Sequence, residues 1–186
     1  MRRLGRLLLA LGLGVLIGGA VVIGRGEEPG GIEEVWIRLF GPPDLGPVEF
    51  ATLRRRASPN DALACPPDVC PQAKADFVPP DYPVPGARLR EIVRAVAEAE
   101  PRTALVFSDR WGEQDRYVAR SRLMRFPDTI TVEIVGRGEG RSSLALYSRS
   151  QIGRGDLGVN RARLSRWLSG IEAAVRASGP EPEGSR

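Results

Sequence analysis

The residues best suited to chemistry fall in one stretch, SRSQIGRGDLGVNRARLSRWL, from Ser148 to Leu168. It reads as the end of a strand, a glycine-punctuated loop and the start of an amphipathic helix. Gly153, Gly155 and Gly158 give the loop backbone freedom that other residues lack. Arg154, Asp156, Asn160 and Arg161 sit among them, and fixed arginines beside open backbone amides suit an anion or a partner surface. Asp156 is expected to bond loop amides or to pair with Arg154 or Arg161, and Asn160 to cap the helix. Arg120 and Arg122 alternate to one face of a strand. Clustered with Arg149, they would hold an anion by bidentate contacts.

Other chemistries are excluded or unsupported. The 186 residues include no histidine, which removes Ser-His-Asp and Cys-His catalysis and imidazole metal sites. No G-x-x-x-x-G-K-[ST] or G-x-G-x-x-G pattern is present, so the glycine-rich loop is not read as a phosphate loop. No two acids stand at a diagnostic spacing, and no residue is assigned a catalytic role. An enzyme acting on an anionic substrate would need Asp109, Asp128 or Asp156 paired in a pocket beside Arg120 and Arg122. Cys65 and Cys70 are too few for a metal shell, and their spacing is not the C-x-x-C of redox motifs. They are expected to form a disulfide if the domain lies outside the cytoplasm. No cofactor is implied.

The net charge of +4 is concentrated at the start of the chain. Arg2, Arg3, Arg6 and Arg25 stand in a segment without acids, and the remainder carries as many basic as acidic residues. Such a balance argues against a nucleic-acid partner, which requires a basic field. Leu7 to Gly24 is an uncharged run of 18 residues, long enough for a transmembrane helix. The three arginines ahead of it predict a cytoplasmic N-terminus. An uncleaved anchor fits better than a signal peptide, whose apolar core is usually shorter. Gly14 and Gly18 form a small-xxx-small pair, the basis for a weak homodimer.

The elements that must position the loop follow from periodicity. Ile32, Val35, Trp36 and Leu39 share a helical face, either at the membrane interface or packed on the domain. The proline-rich stretch Gly41 to Gly86 excludes regular helix and reads as an ordered wrap. Arg54, Arg55 and Arg56 read as a solvated face. Leu89, Ile92, Val93 and Val96 predict a helix closed by Pro101. Strands are predicted over Thr103–Ser108, Tyr117–Leu123, Thr129–Val135 and Ser143–Arg149, with a loop around Trp111 and Gly112. Leu164, Trp167, Leu168, Ile171 and Val175 form the stripe of a last helix, and the tail beyond Ser178 is expected to be disordered. The short connections imply a two-layer α+β fold: a four-stranded antiparallel meander with two helices on one face (α-β-β-β-β-α) and one wet face, preceded by the transmembrane helix. The divisions are an anchor (1–25), a juxtamembrane segment (26–57), the α+β domain (58–178, with the wrap at 58–86) and a tail (179–186).

The stretches SPNDALAC, RSRLMRFPDTITVEI and SRSQIGRGDLGVNRARLSRWL resemble a bacterial and plastid family, the domain of unknown function numbered 1499. The resemblance covers Ser58 to Val175, while the anchor and the stretch GPPDLGPVEFATLRRR fall outside it. It implies a fold and domain limits but no activity. The expected protein is a non-catalytic binding module, tethered to the bacterial inner membrane with its domain in the periplasm, contacting an envelope protein or a lipid. A carrier of an apolar ligand is the alternative, recognisable by a large apolar cavity between sheet and helices.

Overall fold

The computed structural model describes residues 2–110 and 114–179, with side chains from residue 12 onward. The expected loop at Trp111 and Gly112, the tail from residue 180, and the side chains of Arg2, Arg3, Arg6 and Leu7 lie outside the described residues. The described residues fall into two compact units, one within 1–42 with 121–126, the other within 43–120 with 127–186.

In the first unit, α1 (Arg2–Arg25) and α2 (Ile32–Phe40) are joined by a glycine turn. A Cβ on Gly31 would lie 2.4 Å from the Gly26 carbonyl oxygen, so only glycine fits. The face of α2 packs on the segment 121–126. Trp36 Nε1 donates to the Met124 carbonyl at 2.6 Å, and its ring lies 5.0 Å from that of Phe126. Arg125 pairs with Glu33 and Glu27. Among the described residues no helix is long and apolar enough to cross a membrane.

The second unit is α+β, with a sheet of five strands rather than four. Its order is β1-β5-β4-β3-β2, from β1 (Asp61–Ala64), β2 (Thr103–Ser108), β3 (Gln114–Arg120), β4 (Pro127–Gly136) and β5 (Ser142–Ser150). All pairs are antiparallel. The unpredicted strand is β1, four residues inside the proline-rich stretch. Its sequence DALA has neither β-branched residues nor alternation, and it is fully buried. It is a strand because β5 offers an edge, with Asp61 opposite Arg149 and Ala64 opposite Leu146.

Both domain helices, α3 (Gly86–Ala99) and α4 (Val159–Ser178), cover one face. Leu89, Ile92 and Val93 of α3 and Leu164, Trp167 and Ile171 of α4 pack on Tyr117, Ile130, Val132, Leu144 and Leu146. Trp167 meets Tyr117 edge-on, with ring centroids 5.7 Å apart. Period-2 alternation in β4 and β5 put these residues on the helix side.

The opposite face is not wet as the alternation suggested. Residues 43–77 lie over it, with Val48, Phe50, Cys65 and Cys70 packed on Leu63, Ala145 and Tyr147. Cys65 and Cys70 form a disulfide. Asp44 takes Arg116 Nε at 3.0 Å, and Thr129 Oγ1 donates to the Pro43 carbonyl at 3.0 Å. Nor is the arginine run merely solvated. Arg55 pairs with Asp61 at 2.6 Å and Asp76 at 2.9 Å, and Arg56 donates to the Ser150 carbonyl.

Candidate functional site

The stretch from Ser148 to Leu168 makes the corner between β5 and α4. Gly153 (φ +92°) and Gly158 (φ +79°) occupy the left-handed region, where a Cβ is strained, but Gly155 does not. Leu157 takes the third left-handed position, at φ +54°. Asn160 is not the helix cap. It lies inside the first turn of α4, where Gly158 precedes the helix without a side-chain cap. The capping is done by Asp156, whose Oδ1 accepts from the Gly158 amide at 2.9 Å and Oδ2 from the Asn160 amide at 2.8 Å. A carboxylate at this end also suits the helix dipole.

Asn160 points inward and is fully buried. Its Oδ1 accepts from Ser148 Oγ at 2.5 Å and from Arg163 Nη1 at 2.7 Å. Its Nδ2 donates to Ser150 Oγ at 3.0 Å and to the Asn60 carbonyl at 3.2 Å. Arg163, also buried, donates through Nη2 to Asp128 at 2.9 Å. Asn60 Nδ2 closes the group on the Gly153 carbonyl at 2.8 Å. This network clamps the loop to β1, β4 and β5. Buried polar groups are tolerable only when so satisfied. Asn60, Ser148, Ser150 and Arg163 were not identified as site residues from sequence. Arg163 lies three residues after Asn160, on the same helical face, and that spacing was the available signal.

The remaining predicted residues do not converge. Arg149 lies on the opposite face and donates to the Leu45 and Gly46 carbonyls at 3.0 and 2.8 Å. Burial pulls its pKa below the usual guanidinium range. Arg120 ends β3 beside Arg102, whose Nε donates to the Arg120 carbonyl. The second predicted strand runs 114–120 rather than 117–123, so Arg122 is off the sheet, within the segment grouped with α1 and α2. The expected arginine cluster on one strand face is therefore not formed. Arg161 pairs with Asp76 at 3.2 Å and lies over the Phe77 ring rather than meeting Asp156. Arg154 is exposed.

Nor do the acids converge. Asp128 is taken by Arg163 and Asp156 by the helix start. Among the described residues, no group of three or more thiol or carboxylate side chains is placed to hold a metal ion.

What the corner presents to solvent is Arg154, Leu157 and Val159. Leu157 is wholly exposed and Val159 is 48% exposed. Arg102, Arg125 and Glu139 also have positive φ, but Leu157 is the apolar member of that set. A bulky residue in this region is a true outlier, costing roughly 1–3 kcal/mol.

The chain matches no curated protein. Among solved structures it is similar to the crystal structure of the protein TTHA0849 from Thermus thermophilus, at 12% identity over 64% of this chain and 99% of that one. The TM-score of 0.35 makes this a loose likeness on which nothing further rests. A family model described as "Protein of unknown function (DUF1499)" matches residues 57–171, from just before β1 into α4. That span takes in the whole sheet, α3, most of α4 and the clamped corner, and the chain belongs to the DUF1499 family.

Proposed function

We propose that this protein is a non-catalytic binding module, tethered to the outer side of a bacterial cytoplasmic membrane, that docks a partner protein through the β5–α4 corner. One observation carries the docking reading: Leu157 is held in a left-handed backbone conformation with its side chain entirely in solvent. The backbone conformation costs free energy, and the clamp beneath it maintains the position. A single apolar knob flanked by Arg154 suits an apolar pocket with an acidic rim.

The tether rests on the uncharged run Leu7–Gly24, which falls within the uninterrupted helix α1. The compartment reading is supported by the Cys65–Cys70 disulfide. The carrier alternative is disfavoured because Trp167, Tyr117, Leu89 and Leu164, all fully buried, fill the space between sheet and helices. The enzyme alternative is disfavoured because Asp128 and Asp156 are committed to structure.

The test is photo-crosslinking in cells from position 154, with Leu157 either intact or replaced in L157S. A protein adduct lost in L157S supports the reading. A lipid adduct replaces the partner protein with the bilayer, and no adduct removes the corner as a docking surface.

A further inference from the structure

A second arginine cluster lies away from the corner, at the start of α3. Arg90 and Arg94 stand one turn apart and both reach Asp115, a buried carboxylate at the start of β3. Arg90 holds it bidentately, Nε at 2.9 Å and Nη2 at 2.6 Å. Ser108 Oγ donates to the same carboxylate at 2.7 Å and accepts from Arg94 Nη2 at 3.0 Å. Arg94 itself stands off Asp115 at 3.5 Å. Two guanidinium groups thus share one carboxylate, and that carboxylate is already occupied by Arg90 and Ser108. Asp109 also acts on Arg90, and Glu98 lies one turn beyond Arg94.

Both arginines line a cavity of about 540 Å³ that also takes in Gly86, Ala87 and Ile134. Arg94 Nε is buried, and Arg94 also interacts with the Tyr117 hydroxyl. Gly86 and Ala87 open α3, which begins after Pro85 without a side-chain cap. Their amide groups add positive potential to the same space. Gly86 also holds the helix close to the sheet, since a Cβ there would come within 3.3 Å of Ile134. Glu91, on the cavity wall, is paired with Arg88 at 2.9 Å.

We infer that this cavity binds a small anionic group, a phosphate or a carboxylate, with Arg94 as its principal ligand and Arg90 as its floor. A planar guanidinium at a cavity wall suits the recognition of such an oxyanion. Ile134 and Ala87 offer an apolar wall to whatever the group is attached to.

The experiment is calorimetric titration of the full chain in neutral detergent with inorganic phosphate and with acetate, repeated on Arg94→Gln and Arg94→Lys. Arg90 keeps Asp115 satisfied in both variants, and their thermal unfolding is recorded alongside. Saturable binding of either anion, weakened roughly tenfold in Arg94→Gln and less in Arg94→Lys, is expected from the loss of a charge-assisted contact. The source of the anion separates in a second arm, glycerol phosphate in solution against vesicles of phosphatidylglycerol. Binding in solution, lost in Arg94→Gln, assigns a soluble phosphate ester. Binding to vesicles alone, again lost in Arg94→Gln, assigns a lipid headgroup. No saturable binding by the wild-type chain, or binding unchanged in Arg94→Gln, overturns the inference.

Discussion

Two arginine–carboxylate clusters lie on the helix-covered face of the sheet, and they are built differently. At the start of β4, Asp128 meets Arg163 of α4 within a group that includes Asn160, Ser148, Ser150 and Asn60, all of them buried. At the start of β3, Asp115 meets Arg90 and Arg94 of α3 beside an open cavity. In the first cluster one arginine meets one carboxylate and Asn160 uses both its donor and acceptor sides, while Asn60 Oδ1 has no partner among the described residues. The second sets two arginines against one carboxylate at the wall of a cavity. A closed network fixes geometry, and replacing any member leaves a buried partner unsatisfied. An open one leaves its members partly in contact with solvent.

Substitutions can break or sharpen this contrast. Arg163→Ala should have the largest effect, costing roughly 3–5 kcal/mol in denaturant unfolding, because Asp128 is left buried and unpaired. A loss under about 1 kcal/mol would show that the corner is not closed. Asp115→Asn should cost less, roughly 1–3 kcal/mol, since the cavity lets water reach the two arginines.

The same variant carries a pH signature. Burial acts to raise the Asp115 pKa, but hydrogen bonds from Arg90 and Ser108 and the charges of Arg90 and Arg94 outweigh it and hold it below the usual carboxylate value. A carboxylate depressed in the folded state contributes stability above its unfolded pKa and loses it as pH falls through the folded one. The wild-type chain should therefore lose stability below about pH 4 more steeply than Asp115→Asn, as read by urea unfolding. Parallel curves would show that Asp115 contributes nothing to the acid limb.

Asp156→Ala should cost about 1 kcal/mol, the value of a lost helix cap, with the clamp below it intact. Asn160→Ala should cost more than Asp156→Ala, because Asn160 belongs to the buried network. The reverse order would reinstate Asn160 as the cap. Arg94→Gln should change stability least, within about 0.5 kcal/mol, as a part-exposed charge whose carboxylate keeps another partner.

Residues of the helix face were legible from sequence because their periodicity is local. The stripe from Leu164 to Val175 and the alternation of Ile130, Val132 and Ile134 identified α4 and β4 without knowledge of their partners. The pairing of Cys65 with Cys70 followed from composition and an assumed compartment. The failures share a different cause. Strand β1 carries no local signal and exists because β5 offers an edge. Arg122 was assigned to a strand that ends at Arg120, and its neighbours turn away to pack with α2. Asn160 has the chemistry of a cap, but Leu157 and Gly158 bend the chain so that Asp156 reaches the amides first. The apparently wet face is covered by residues 43–77, whose prolines mark an absence of helix without saying where the chain rests. Arg90 and Arg94 were not singled out from sequence, because Asp115 becomes their partner only through the packing of α3 on β3.

The pairing of β1 with β5 also dictates an order of assembly. Strands β2 to β5 are linked by short connections and can zip as neighbours. Residues 43–77 are made earlier, yet the edge and face they require arrive only with β5. Contacts so distant in sequence form late, because the loop between them must be closed first. The segment should therefore be the first to open in native-state hydrogen exchange, with Leu63 and Phe77 amides protected less than those of β4. Cys65 and Cys70 both lie within this waiting segment, so their bond can form before the sheet is complete and dock as a finished piece.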